Sequence, residues 1–509
     1  MAETVTGLDT GEVEESCKML MLLKTGIFAC VLTGLYVLPL IYLCRRMRYN
    51  WIDYCLAVFV VLVPPILLFL AIGLITADVP FWDDYDAIMR YVCLPTIKRM
   101  KHLFDLHNQH RIVMVRLFLE GMVAFGGKVN FKACMFCGTA QLLVVFACFC
   151  FFYIRQFGRN SLFLLSACSW LLFSLHNFEN AFWALTAMQN FGVIMWAFLA
   201  ITLFHFRSCR GCCLAAWGCA ITAVFTSIQG MAVLIIFTIM LFLPPHGTSE
   251  QAETFKWGEL VKFFFRRIKS LRYGSSILGC LILTGICSYL YLRGYNPGDV
   301  ELRSAMASIL DKALYVVAFL GNPVMLLPLA IPVGCVVIAA FVFIVINFPR
   351  LPKLMRPLFF FSLFLLSCDV AGVNFRAESP YAGLCYRYYV IVACLYSSFI
   401  GLLLSLIRTN SKRQCRLELS ILCLCSVLCV SYSLLFWKQL EERSEAIRIN
   451  LLTWPQMKEG LRYDEARLDE ASNALEQMEE KGLYDHITVH RKGEALPKTT
   501  VPWAELHFP

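Results

Sequence analysis

Asp83, Asp84 and Asp86 in FWDDYDAIMRYV (81–92), followed by LHNQHR (106–111), are the densest polar chemistry in this chain. The carboxylates can accept a proton or hold a metal ion. His107, Asn108, His110 and Arg111 can hold an anion such as phosphate. On a helix, Asp83 and Asp86 would share a face at i,i+3. So would His107, His110 and Arg111 at i, i+3 and i+4, and likewise Asn108 and Arg111. Two later stretches carry similar groups. HNFENAFWALTAMQN (176–190) supplies Glu179, Asn180, Trp183 and Gln189, and FRAESPYAGLCYRYY (375–389) supplies Arg376, Glu378, Tyr381, Arg387 and Tyr388. Plainer readings stand beside a site. Aspartates cap helices or anchor topology at an interface. Acids and bases in one loop also form solvated salt bridges, tryptophans form interfacial belts, and an arginine ahead of a span snorkels.

The elements that must position these residues are apolar. Of 509 residues, 59% are hydrophobic and 16% charged, against about half and a quarter in a soluble domain. Runs long enough to cross a bilayer recur, without the alternation of barrel strands. The sequence therefore predicts an all-α polytopic membrane protein of about twelve spans, within ten to thirteen. They fall near 20–43, 54–76, 131–154, 161–175, 190–206, 212–228, 231–243, 275–292, 324–346, 357–373, 388–407 and 417–437. Every second loop is basic: 44–50, 155–160, 207–211, 246–274, 347–356 and 408–416. Cytoplasmic loops carry that excess, so both termini and the three polar stretches are expected on the extracytoplasmic side. The +9 net charge thus sets orientation and implies no nucleic-acid partner.

The expected divisions are an external tail at 1–19, a span with its loop at 20–53, a transmembrane domain at 54–437 and an external, partly helical tail at 438–509. The longest early loop, 77–130, is external and carries short interfacial helices. KWGELVKFFFRRIKSLRY reads as an amphipathic helix on the anionic inner leaflet. The 24 cysteines lie mostly in apolar runs and serve packing. A Cys93–Cys385 disulfide is open to the two external positions. Walker, GxGxxG, HExxH and GxSxG motifs are absent, which argues against a nucleotide-driven pump or a grafted soluble hydrolase.

WDDYD (82–86), HNQHR (107–111), ENAFW (179–183) and the Arg387–Tyr388 pair together resemble bacterial multi-pass proteins of the GT-C glycosyltransferase type, over roughly 54–437. The resemblance implies transfer of a sugar from a polyprenyl-phosphate donor to a glycan, lipid or protein acceptor. The reaction would take place at the outer face of a bacterial plasma membrane. It makes Asp83 or Asp84 the catalytic acid–base group, and it leaves metal dependence open. A divalent cation, if used, would fall to Asp83 and His107. Phosphate and substrate contacts fall to Asp86, His107, Asn108, His110, Arg111, Glu179, Asn180, Arg376, Arg387 and Tyr388. The extra span at 20–43 departs from that pattern, as does the second acid of the pair. The competing class is a transporter or flippase of a lipid-linked or small anionic substrate, for which the proline pairs PP (64–65) and NP (322–323) would break helices. A noncatalytic partner in polysaccharide assembly is the third reading.

Overall fold

In hydrocarbon every backbone N–H and C=O must be satisfied within its own segment, so apolar runs of this length become helices. The computed structural model describes residues 51–158, 161–243, 258, 262, 265, 271–295, 307–324, 326–376, 379–407, 411–457, 461 and 467–486. The expected span at 20–43, most of the amphipathic segment and the chain ends lie outside the described residues.

Fifteen principal helices follow in chain order among the described residues. The first long loop is bounded by α1 (Trp51–Ile75) and α4 (Phe131–Phe157) and holds α2 (Thr96–His102) and α3 (Val113–Gly126). Then come α5 (Ser161–Leu172), α6 (Gly192–His205), α7 (Arg210–Val224), α8 (Met231–Leu241) and α9 (Leu271–Leu292). The chain closes with α10 (Ile309–Leu320), α11 (Leu327–Ile346), α12 (Arg356–Arg376), α13 (Tyr389–Leu406), α14 (Ser411–Met457) and α15 (Leu468–Glu480). No strand forms among the described residues.

Seven helical segments are long and apolar enough to cross a membrane: Phe131–Phe157, Ser161–Ala181, Ala184–His205, Leu327–Ile346, Lys353–Val373, Tyr386–Leu406 and Arg416–Pro455. Val61–Ile75, Arg210–Val224, Ile228–Leu241 and Ile277–Leu292 are apolar but shorter, at 10–17 residues. A helix of 15 residues extends only about 22 Å against a core of about 30 Å, so the described chain falls short of the expected twelve. Pro64 and Pro65 leave α1 unbroken, whereas Asn322–Val324 forms a 3-10 turn between α10 and α11.

Ser161–Ala181 is 94% buried over its most apolar window and Leu327–Ile346 only 22%, so the first is the axis of the bundle and the second its edge. Around that axis Phe149 of α4, Phe198 of α6 and Phe361 of α12 interlock, with Phe198 stacked on Phe361 at 4.0 Å. Because lipid tails are as apolar as leucine, helices in a bilayer adhere by close packing at small residues. Gly138 of α4 is such a point: a Cβ there would lie 2.5 Å from the Ala187 carbonyl carbon.

The described part of the expected C-terminal tail is helical and packs on the first long loop. Its beginning is the continuous end of α14, and α15 docks on the turns Tyr85–Met89 and Arg90–Cys93. Ala471, Ala474, Leu475 and Met478 form the buried face of α15. Arg467 pairs with Asp86 at 2.9 Å, and Glu470 pairs with Arg90 at 3.3 Å. Lys481 donates to the Cys93 carbonyl, Val129 N–H to the Leu483 carbonyl and the Tyr484 hydroxyl to the Asp78 carbonyl.

Gly138→Ala is expected to cost about 1–3 kcal/mol through overpacking against the Ala187 backbone. Thermal unfolding in detergent measures it, with Gly121→Ala, where an added methyl meets nothing within 4 Å and helix propensity favours alanine, as the control without overpacking.

Candidate functional site

The first long loop begins by anchoring α4. Asp78 accepts the N–H groups of Phe131 (2.6 Å) and Lys132 (3.3 Å) and a hydrogen bond from Asn130 Nδ2 (2.9 Å). Trp82 then takes a left-handed backbone, φ +50°. Such a conformation persists only where its surroundings hold it, and here Phe81 and Trp82 both pack on Trp183, at 5.3 and 6.3 Å.

Past that bend the paired aspartates part company. The Asp84 side chain is fully buried: Oδ2 accepts the Phe81 N–H and Oδ1 the Leu185 N–H, both at 3.0 Å. Burial pushes its carboxyl up to about 8, against the opposing pull of those two donors. Asp83 instead lines the main cavity, with Oδ2 3.9 Å from His107 Nε2. Asp86 leaves the cavity altogether and meets Arg467. Asp83 and Asp86 share a helical turn, the Asp86 N–H donating to the Asp83 carbonyl at 3.1 Å, but their side chains go to different partners. Asp84 is a joint between two segments, and Asp83 is the carboxylate that lines the cavity.

The helical reading of LHNQHR is likewise corrected. His107 and His110 exchange backbone hydrogen bonds at 2.8 and 2.9 Å around a two-residue turn, with Asn108 at φ +51°. That reversal puts His107, Asn108, Gln109 and His110 along the cavity wall. Ser227 Oγ lies 3.3 Å from His110 Nδ1 and donates its one hydrogen to Gln229 Oε1 at 2.8 Å. By this network His110 Nδ1 carries the hydrogen and Nε2 is the acceptor, an assignment made from partners.

Arg111 is not a phosphate ligand in this arrangement. It is buried, its Nε donates to the Tyr291 carbonyl at 2.7 Å, and its two terminal nitrogens donate to the carbonyls of Phe104 and Arg293. The guanidinium fork suits carboxylates, but three converging carbonyls engage it equally well. It ties the loop to the end of α9.

Arg387 does reach the cavity. Its turn, Tyr386–Tyr388, is held by Glu179, whose Oε2 accepts the Arg387 N–H at 3.0 Å and lies 3.8 Å from its Nε. Asn180 donates to the Arg387 carbonyl at 2.9 Å, and its own carbonyl oxygen accepts from Asn190 Nδ2 at 2.8 Å. The guanidinium carbon stands 5.7 Å from the Trp183 ring centre. Glu179 and Asn180 thus position a cavity cation without lining the cavity themselves. Tyr388 lines it, packed on Phe319 at 5.2 Å. Arg376 ends α12, and its side chain lies outside the described residues.

The cavity spans about 1230 Å³ including its mouth. Asp83, His107, His110, Gln189, Asn190 and Arg387 supply its polar wall, while Val193, Ile194, Val390 and Ile391 supply an aliphatic one. Such a site can hold an anion beside Arg387, hydroxyls among the amides, and an apolar chain along the helices. Ser227, Gln229 and Tyr315 were missed in the sequence; only the polar break TSIQG (226–230) between apolar runs marks the first two. A cation at Asp83 and His107 would take its remaining ligands from water or substrate. Among the described residues the one trio able to close on a metal ion is Glu479, Asp485 and His486, none of which lines this cavity. Cys93 and Cys385 do not pair: Cys93 donates to the Ala474 carbonyl, Cys385 to Glu179.

The described chain is therefore an all-helical protein with seven helical segments able to cross a membrane, built around an amphipathic cavity. No family model, curated protein or solved structure matches it.

Asp84→Asn should lower stability by about 1–3 kcal/mol, since one amide oxygen cannot accept both N–H donors, while Asp83→Asn should be near neutral. The pH dependence has a definite sign. Between its ordinary value of 3.8 and about 8 the folded Asp84 keeps a proton that the unfolded chain has released. This residue's contribution therefore falls as pH rises through that window. Thermal unfolding across pH, wild type against Asp84→Asn, isolates it.

Proposed function

We propose that the protein is a membrane glycosyltransferase that moves a sugar from a polyprenyl-phosphate donor to a glycan, lipid or protein acceptor on the extracytoplasmic face. The observation that carries this reading is the placement of Asp83 and Arg387 in one cavity with an aliphatic wall. A polyprenyl phosphate needs that combination: a cation for the phosphate and hydrocarbon for the chain. Asp83 takes the proton of the acceptor hydroxyl as its oxygen attacks the sugar carbon bonded to phosphate. The bond to the phosphate oxygen breaks on the opposite side, and the configuration inverts. Arg387 and His107 stabilise the departing phosphate. Asn190, Gln189 and His110 face the sugar and acceptor hydroxyls.

Support for the GT-C type comes from the residue pattern of WDDYD, HNQHR and ENAFW and from their meeting around one end of the bundle. If the four shorter apolar helices count as spans and the run at 20–43 joins them, the total reaches the twelve expected. The basic-loop alternation supports a cavity and both termini outside the cytoplasm, and the resemblance to GT-C proteins supports a bacterial plasma membrane.

One observation favours the transport reading: Asp369 is an ionisable group inside the span Lys353–Val373. Two measurements separate the classes. With a polyprenyl-phosphate sugar and purified protein, Asp83→Asn should reduce transfer by about 10²–10⁴-fold at unchanged expression and thermal stability. Full activity in that variant removes the proposed base. In sealed vesicles, substrate accumulation without a new glycosidic bond would replace the transferase with a carrier.

A further inference from the structure

The cavity has a wall that the transfer chemistry does not use. Cys368, Ala371 and Gly372 of α12 line it. Asp369, beside them in the same helix, is 1% exposed, and neither of its carboxyl oxygens has a hydrogen-bond partner. Next to it stands Tyr315 of α10, itself fully buried and a cavity-lining residue. The Tyr315 hydroxyl lies so near Gly372 that a Cβ there would be 2.9 Å from it. Asp369 and Tyr388 both act electrostatically on that phenol.

The surroundings decide the state of the acid. Of the elements packed on α12, α10 carries Asp311, Lys312 and Tyr315, α13 carries Tyr389, Cys394 and Tyr396, α6 carries His205, the turn Lys353–Met355 carries Lys353, and α8 and the turn Ile228–Gly230 carry no titratable group. Cys368 adjoins it on its own helix. Among the described residues none hydrogen-bonds to Asp369, and no arginine or lysine pairs with it. An ionised carboxylate without donors in apolar surroundings is far costlier than the neutral acid. Ionisable groups at such positions in membrane helices mark proton or ion pathways.

We propose that Asp369 is a proton-binding site within the helical bundle, loaded and emptied through the cavity by way of Tyr315. In the resting protein the carboxyl carries its proton. On unloading, the Asp369 side chain, which is not hydrogen-bonded to Tyr315 at rest, rotates to the phenol, and the carboxyl O–H bond breaks as its proton passes to the Tyr315 oxygen. The phenol's own proton moves on to a water or substrate oxygen in the cavity. The phenol is regenerated, the carboxylate is left behind, and the reverse sequence reloads it. This site stands independently of the transferase reading.

The full-length protein in lipid vesicles is treated at neutral pH with dicyclohexylcarbodiimide, an apolar reagent that adds to a protonated carboxyl. Peptide mass mapping should find one reagent mass on the peptide containing Asp369, and Asp369→Asn should lose it. A water-soluble carbodiimide should leave that peptide unmodified. In infrared difference spectra, the protonated-carboxyl band of Asp369 should be present at neutral pH and exchange with deuterium, and Tyr315→Phe should slow that exchange without removing the band. If Asp369→Asn does not fold, the wild-type labelling and band decide alone. An unlabelled Asp369 at neutral pH, or equal labelling by the water-soluble reagent, overturns the site. Exchange as fast in Tyr315→Phe as in wild type overturns the route. None of these readouts requires sugar transfer, so a failure here and a failure of the transferase reading are distinguishable.

Discussion

A single buried carboxyl group ties together two parts of the chain that are 101 positions apart. Asp84 accepts one N–H from the bend that ends at Phe81 and another from Leu185, at the start of the helix that continues into α6. Each N–H would otherwise be an unsatisfied donor in a buried setting, and each is costly to leave so. Bringing both to one acceptor fixes where the bend sits relative to the bundle. Asp83, one residue earlier, is thereby held at the cavity wall that Trp183, Gln189 and Asn190 also form. The same logic recurs on the other side, where Glu179 and Asn180 grip the backbone of Arg387. Both charged groups facing the cavity are therefore placed by neighbours that do not themselves face it.

The cavity joins two kinds of surface that are usually kept apart in a membrane. Amides, imidazoles, a carboxylate and a guanidinium come from the loops and turns. The aliphatic wall comes from α6 and α13, whose side chains would otherwise pack on one another. Close packing elsewhere lets this gap persist: Gly138 admits the Ala187 backbone, and the stacked phenylalanines of α4, α6 and α12 brace the bundle. Amphiphilic molecules fit a space of this kind better than purely polar or purely apolar ones.

Much of the helical framework was legible because apolar runs become helices where exposing peptide groups to lipid is costly. The ends of α4, α11 and α13 agree closely with the runs that predicted them. The site was only partly legible. His107 and His110 were read at helical spacing, yet a reverse turn with Asn108 in a left-handed conformation gathers them instead, and nothing local in LHNQHR distinguishes the two. Arg111 looked like a phosphate ligand because its appetite for oxygen is visible in sequence, whereas the carbonyls that satisfy it, from Phe104, Tyr291 and Arg293, are not. Asp86 found its partner in Arg467, a pairing no local spacing encodes. Asp369 was readable as a lone acid in an apolar run; that it has no hydrogen-bond partner among the described residues is a property of the packed bundle alone.

The docking of α15 on the first long loop also sets a schedule for synthesis. Cys93 and Ala474, which touch in the finished protein, are separated by 381 positions. At about 5–20 residues per second, a ribosome needs roughly 20–80 s to make the second after the first. Throughout that interval Asp86 and the groove beside Arg90 are without the helix that covers them. A chain released early would carry an uncovered loop on an otherwise nearly complete bundle, a surface by which a cell's quality-control proteases can tell an unfinished copy from a finished one.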